Sequence, residues 1–130
     1  MTAIGVADVT VYRPFPGEVP CDLVGADAPL DDVRVAKVDG QGSKSHGSTS
    51  RVVGAYRLVQ VDAGRFAIRA LGVYPAYRGA GIGRWLLGHA IGIAESRGAR
   101  TIDAKGPPGF LKPVGFTPWA GGYRLVLTPE

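Results

Sequence analysis

Residues 78–84 combine two arginines with three glycines at alternate positions, directly before an apolar stretch with helical spacing. The first backbone N–H groups of a helix have no partner within the helix and carry a partial positive charge. Glycine lets the chain bend around an anion without a Cβ in the way, and Arg78 and Arg84 can add charge-assisted hydrogen bonds. This combination of residues predicts a site that binds a diphosphate through its backbone.

Other glycine-rich loops that bind phosphate have different patterns. A Walker loop ends with Lys and then Ser or Thr, whereas here Arg84 is followed by Trp85. A dinucleotide fingerprint has the spacing G-x-G-x-x-G within an early parallel βαβ unit. Gly79, Gly81 and Gly83 alternate instead, and the preceding strands are predicted to be antiparallel. A glycine-rich turn with a purely structural role stays open as an alternative.

Alternating apolar residues predict four strands before this turn, and apolar residues at helical spacing predict one long helix after it. The helix begins at about Ile82 and ends where Arg97 and Gly98 supply a cation and a left-handed cap. The predicted strands are Val9–Tyr12, Val33–Val38, Val52–Val61, Arg65–Val73, Thr101–Ala104, Phe116–Trp119 and Tyr123–Leu127. The predicted fold class is α+β, in a single domain over residues 1–130. Its sheet is mostly antiparallel, with one long central helix after the fourth strand, a parallel return strand and a terminal hairpin.

Three segments between these elements carry little regular pattern. The proline-rich stretch 15–29 has room for a helical turn or two, and 105–113 is too broken by Gly and Pro for a full helix. Residues 39–50 are polar and rich in Gly and Ser, which predicts a flexible hairpin loop. Within the helix, Gly88 and Gly92 lie four positions apart, and we interpret them as the side that packs closely on the sheet.

The composition limits the classes of protein to consider. At 130 residues and 13.6 kDa the chain makes one ordinary domain. No apolar run approaches the ~18 residues of a membrane helix, and no secretory signal is visible. Cys21 is the only cysteine, which excludes an internal disulfide and a cysteine-rich zinc site. We therefore expect a cytoplasmic protein without a metal site. The formal net charge of +4 favours anionic partners, but no helix-turn-helix, zinc or aromatic-platform pattern supports nucleic-acid binding.

The stretch from Leu71 to Leu87 resembles the acetyl-coenzyme A signature of the GNAT superfamily of N-acetyltransferases. The core of that signature is Arg/Gln-x-x-Gly-x-Gly/Ala, which Arg78, Gly81 and Gly83 match. A second stretch, 109–116, is similar to the family's segment that ends in Gly-Phe before the last strand pair. The resemblance covers about residues 51 to 127.

The resemblance implies that acetyl-coenzyme A is a co-substrate and that an acceptor amine attacks its thioester directly. Leu71, Gly72 and Val73 would pair with the pantetheine arm as an added strand, and a backbone donor near Val73 would stabilise the oxyanion. The protein would act mainly by positioning its two substrates. The residues implied in binding the pyrophosphate are Arg78, Gly79, Ala80, Gly81, Ile82, Gly83 and Arg84.

The family's acid and base residues do not transfer onto this sequence. Many members have a tyrosine that protonates the leaving thiolate where this chain has Leu111, and the strand 65–73 carries no Asp or Glu. The catalytic residue is therefore unassigned. The candidates to stand in are Tyr123, Tyr74 and Asp103, although a purely structural role is favoured for each. His89 is interpreted as a core histidine, and His46 and Lys105 as solvated loop residues.

Two functions follow from these observations. The first is acetyl transfer to a small-molecule or protein amine. The alternative is an acyl-coenzyme A-binding module, with little or no activity, that regulates a partner protein. The family builds part of its acceptor site from helices where this chain has the short segment 15–29, so we expect an open acceptor side or one completed by a second subunit in a homodimer.

Overall fold

The computed structural model describes residues 9–38 and 51–127, which contain seven strands and three helices. One-turn 3₁₀ segments at 30–32, 75–77 and 112–114 connect some of them. The strands are β1 Val9–Tyr12, β2 Val33–Val38, β3 Arg51–Asp62, β4 Arg65–Val73, β5 Thr101–Ala104, β6 Thr117–Trp119 and β7 Gly122–Val126. The helices are α1 Cys21–Val24, α2 Ile82–Ser96 and α3 Pro108–Leu111.

The seven strands form one sheet in the order β1-β2-β3-β4-β5-β7-β6. Every neighbouring pair is antiparallel except β4 and β5, which are parallel and joined by the crossover helix α2. This arrangement confirms the predicted mostly antiparallel sheet, the long helix after the fourth strand, the parallel return strand and the terminal hairpin. Strand ends differ from the predicted ones by at most one residue.

Helix α2 covers one face of the sheet, and the main core lies between them. Its buried side chains recur at the helical spacing that the sequence shows, and they pack on Tyr56, Phe66 and Ile102 of the strands. The other face carries a smaller cluster around Val24 of α1 and Val35 of β2. The buried residues of α2 are Ile82, Leu86, Leu87, Ala90 and Ala94.

The segments between the strands and the long helix largely agree with the predictions from the sequence. The stretch 15–29 forms only the four-residue helix α1, and 105–113 contains the single-turn helix α3. In the terminal hairpin the turn lies at Ala120 and Gly121, with φ of 46° and 82°, so it begins one residue before the predicted Gly-Gly pair. The predicted loop at 39–50 lies outside the described residues. Within the described part of the chain, α2 and its shorter companions all lack the length and apolarity needed to cross a membrane.

The predicted close packing at Gly88 and Gly92 is wrong. Both glycines are exposed, and a Cβ added at either would meet no atom within 4 Å. The close approach occurs instead at Gly54 of β3, where an added Cβ would lie 2.8 Å from the carbonyl oxygen of Gly72. Glycine is thus required where two strands meet under the helix, and not on the helix itself.

Alanine at the two exposed helix positions should stabilise the protein. Gly costs roughly 0.5–1 kcal/mol relative to Ala in a helix interior, so Gly88→Ala and Gly92→Ala should each raise the free energy of unfolding by about that amount. Urea unfolding followed by circular dichroism measures it. Gly54→Ala is the control and should destabilise, because its Cβ meets backbone. A loss of stability in either helix variant would contradict the open surroundings of these glycines.

Candidate functional site

A β-bulge in β4 coincides with the end of the pairing between this strand and β5. Ala70 pairs with Arg57 and Ile68 with Leu58, so Arg69 between them has no partner on β3. The pairing of β4 with β5 ends at the same place, at Ile68 and Ala104. Beyond this point the β4 edge that faces β5 is open. No pattern along the chain indicates this open edge, because a bulge is defined by the pairing of two strands and not by one strand's pattern.

The register shows which backbone groups lie on the open edge. The N–H of Tyr74 donates to the carbonyl oxygen of Val53 at 2.9 Å, so these two residues form a hydrogen-bonded pair. Hydrogen-bonded and non-hydrogen-bonded pairs alternate along an antiparallel ladder. The backbone groups of Leu71 and Val73 therefore point away from β3, toward the open edge, whereas those of Gly72 pair with β3. Of the three residues predicted here, two present their backbone to the edge.

The predicted glycine-rich turn precedes α2 and leaves its backbone donors free. Gly79 and Gly81 have φ of 90° and 86°, a region that favours glycine. The first helical hydrogen bond runs from the N–H of Trp85 to the carbonyl oxygen of Gly81, at 3.0 Å. Among the described residues, no hydrogen bond uses a backbone N–H between Gly79 and Arg84. A consecutive run of donors at a helix start is what an anion site requires.

Two arginines flank this turn, and the first of them connects it to the end of β4. The Nε of Arg78 donates to the carbonyl oxygen of Val73 at 2.9 Å. The guanidinium of Arg84 lies 5.6 Å from the ring centroid of Phe110. A Cβ added at Gly83 would be 3.7 Å from the Val73 side chain, so the turn and the strand end are in close contact. The donors of the turn and the open edge thus form one continuous surface.

A cleft of about 590 Å³ opens between β4, β5, α3 and the β6–β7 hairpin. Tyr123 and Lys105 both line it, and the hydroxyl of Tyr123 makes no hydrogen bond within the described residues. Leu111 is buried at 2% exposure, so an apolar side chain occupies the place where the family resemblance leads one to look for tyrosine. Apolar lining residues of the cleft are Ala67, Leu71, Leu87, Phe110 and Leu111.

Asp103 and Tyr74 are poorly suited to take a proton from an amine. Arg124 donates to both carboxylate oxygens of Asp103, from Nε at 2.5 Å and from a terminal nitrogen at 2.8 Å. These hydrogen bonds hold the pKa of Asp103 below its ordinary value, so the carboxylate is a weak base. The hydroxyl of Tyr74 donates to Asp22 at 2.8 Å, and burial raises the pKa of Tyr74, which keeps it protonated.

His89 is half-buried on α2, so it is less enclosed than the core histidine that the sequence predicted. Its Nδ1 lies 2.7 Å from the hydroxyl of Tyr56, and burial raises the pKa of Tyr56 to about 12. The tyrosine therefore stays protonated, and its hydroxyl can donate to a neutral imidazole that carries its proton on the other ring nitrogen. Burial also lowers the pKa of His89. His46 lies outside the described residues, and no group of three potential metal ligands occurs within residues 9–38 and 51–127.

The stability of the protein should fall in mild acid because of His89. An unfolded histidine has a pKa near 6.5, whereas that of His89 is lowered by burial. Below pH 6.5 the unfolded chain then binds a proton that the folded protein does not, so the free energy of unfolding decreases until the lowered pKa is reached. Urea unfolding between pH 7.5 and 5.5 measures this decrease. His89→Gln should show a smaller one, and an equal decrease in both proteins would contradict the assignment.

Comparison with known proteins identifies the family to which this arrangement corresponds. The sequence model of the acetyltransferase (GNAT) family matches residues 26–108. None of the curated proteins compared with the chain matches it.

Solved structures share the fold at low identity. N-acetylglutamate synthase from Neisseria gonorrhoeae, complexed with coenzyme A and L-arginine, is 19% identical with a TM-score of 0.68. The match covers 86% of this chain but only 28% of that protein. A GNAT family acetyltransferase from Brucella melitensis, in complex with acetyl-CoA, is 18% identical with a TM-score of 0.64 and coverages of 94% and 90%. One from Elizabethkingia anophelis with acetyl-CoA bound is 17% identical, with a TM-score of 0.67 and coverages of 92% and 99%.

Proposed function

The chain belongs to the acetyltransferase (GNAT) family, and we propose that it transfers an acetyl group from acetyl-coenzyme A to an amine. Family membership confirms the resemblance that the glycine-rich turn suggested. Solved structures of this fold were determined with coenzyme A or acetyl-coenzyme A bound, which supports the same donor here. The observation that carries the proposal is the run of free backbone donors from Gly79 to Arg84 beside the open edge of β4.

The diphosphate of the donor binds at the start of α2 in this proposal. The free N–H groups at residues 79–84 can donate several hydrogen bonds to one anion. The helix dipole adds a partial positive charge at the same place. A Cβ at Gly79 would meet no atom within 4 Å, so nothing within the described residues fills the space outside the turn. Arg84 supplies a full positive charge within the first helical turn.

The pantetheine arm then lies along the open edge of β4. Its amide groups can pair with the free backbone groups of Leu71, as an added strand would. This path directs the thioester into the cleft, where the N–H of Val73 is the donor for the oxyanion. The carbonyl oxygen of Val73 accepts from Arg78, which holds the next peptide, between Val73 and Tyr74, in place beside this N–H.

The reaction is a direct attack of the amine nitrogen on the thioester carbonyl carbon. A tetrahedral oxyanion forms, the carbon–sulfur bond breaks, and the products are the acetylated amine and the free thiol of coenzyme A. The amine loses one proton and the thiolate gains one. Tyr123 is the candidate for the second transfer, because it lines the cleft and its hydroxyl has no partner among the described residues. Positioning supplies most of the rate enhancement.

The regulatory alternative has one specific observation in its favour. The cleft holds an apolar Leu111 and a carboxylate, Asp103, whose two oxygens are occupied by Arg124. A module that only binds acyl-coenzyme A needs neither an acid nor a base. Release of free thiol from acetyl-coenzyme A with a broad panel of amines distinguishes the two functions. We expect release with at least one amine, and binding without release across the panel would favour the regulatory module.

A negative charge at the glycine-rich turn should abolish donor binding. Asn and Asp both tolerate positive φ, so Gly79→Asn and Gly79→Asp form a matched pair that differs by one charge. We expect Gly79→Asp to bind acetyl-coenzyme A at least about tenfold more weakly than Gly79→Asn, since its carboxylate repels the diphosphate and competes for the same N–H groups. Isothermal titration calorimetry measures both affinities. Equal affinities would place the diphosphate elsewhere.

A further inference from the structure

Three arginines surround one carboxylate on the sheet face that α2 does not cover. Asp103 of β5 pairs with Ala67 of β4 and with Arg124 of β7. Arg65 lies two residues before Ala67 on the same strand and therefore on the same face, and Arg69 is the bulge residue two positions after it. All of these residues line the cleft. We call Arg65, Arg69 and Arg124 the arginine cluster.

The cluster carries more positive charge than its acidic neighbours neutralise. Arg124 is paired with Asp103, and Arg65 is paired with Asp62 at 3.1 Å. Arg69 makes no hydrogen bond and no ion pair with the described residues, and its side chain is exposed. The hydrogen bond from Arg124, followed by the charges of Arg65 and Arg69, holds the pKa of Asp103 below its ordinary value. The carboxylate therefore stays ionised and bound, and Arg69 is the free cation of the group.

A fourth arginine extends this positive face toward α1. Arg57 of β3 pairs with Ala70, directly beside the bulge, and so lies on the same face as the cluster. Its Nε is buried and has no hydrogen-bond partner, and the nearest carboxylate, that of the exposed Asp27, is 3.7 Å from a terminal nitrogen. A buried donor without a partner is costly, and an anionic ligand on this face would compensate for part of that cost.

We infer that the acceptor is an amine that also carries a carboxylate, and that Arg69 binds this carboxylate at the mouth of the cleft. The inference rests on the proposed acetyl transfer, because it concerns the second substrate of the same site. The guanidinium fork matches a planar carboxylate with two parallel hydrogen bonds. Arg124 and Asp103 already form such a pair, with two hydrogen bonds, in the lining of the same cleft.

The distance along β4 sets the size of the acceptor. Arg69 and Val73 lie four residues apart on one strand, which is about 13 Å. The side chain of Arg69, which lines the cleft, can cover part of that distance. The remaining gap suits a small molecule whose amine and carboxylate lie a few bonds apart, such as an amino acid. A polyamine or a basic peptide would instead meet like charges at the mouth of the cleft.

The test compares acceptors that differ only in charge. Free thiol release from acetyl-coenzyme A is measured with a panel of amino acids, with the matching amino acid amides, with amino phosphates and with diamines. We expect kcat/KM to be at least tenfold higher for the best amino acid than for its amide. Preference for the amides or diamines would overturn the inference, and preference for amino phosphates would overturn the carboxylate assignment.

A matched pair of variants locates the effect. Arg69→Gln should raise KM for the amino acid at least tenfold and leave KM for its amide unchanged. The variant should therefore lose the preference for the amino acid over its amide. Arg13→Gln makes the same change of charge just after β1, at the far edge of the sheet, and should leave both values unchanged. If Arg69→Gln affects amino acid and amide equally, or if Arg13→Gln acts like it, the role of Arg69 is refuted.

A binding measurement separates this inference from the proposed transfer. If no acceptor releases thiol although acetyl-coenzyme A binds, acetyl transfer fails, and the inference is then tested by titrating the amino acid panel into the protein saturated with coenzyme A. Amino acid binding that Arg69→Gln weakens and Arg13→Gln does not would support a carboxylate site. Absence of such binding in the wild-type protein would overturn it.

Discussion

The extra residue in β4 is the constraint on which the site depends. A sheet favours full pairing, because buried backbone groups without partners are costly. Arg69 interrupts the β3–β4 ladder, and the strand bends so that its pairing with β5 ends at Ile68. The backbone beyond this point keeps its hydrogen-bonding groups but has no strand to receive them. The exposed cleft makes this tolerable, since water or a ligand can take the place of the missing strand.

The crossover helix joins this open edge to the glycine-rich turn. A parallel pair of strands needs a connection that crosses one face of the sheet, and α2 is that connection. The helix must therefore begin close to where β4 ends, which places its free N–H groups beside Val73. The hydrogen bond from Arg78 to Val73 and the contact of Gly83 with the same residue fix this proximity. One topological feature thus supplies both the backbone donors and the edge that the proposed donor substrate would use.

The sequence predicts the elements better than it predicts their relations. Alternation and helical spacing predict the long helix and all the strands of the described residues, because these patterns report which side chains are buried. The packing of Gly88 and Gly92 was misjudged, although both lie on the polar side of α2, opposite Leu86 and Ala90. The bulge at Arg69 and the pairing of Asp103 with Arg124 were missed for another reason. Both depend on the register between strands, which no single segment encodes.

The formal net charge of +4 is distributed in a way that suits small anionic ligands better than nucleic acid. Positive charge gathers at two places along β4, around the glycine-rich turn after it and around Arg69 within it. They differ in kind, because the first is built largely from backbone dipoles and the second from side chains. Backbone donors suit a ligand that is the same in all proteins of one fold, such as a diphosphate. Substitutions do not remove these donors unless they change the fold. Side chains suit a partner that differs among proteins of one fold. The proposed acceptor end of the cleft is therefore where selectivity can evolve while the proposed donor site is retained.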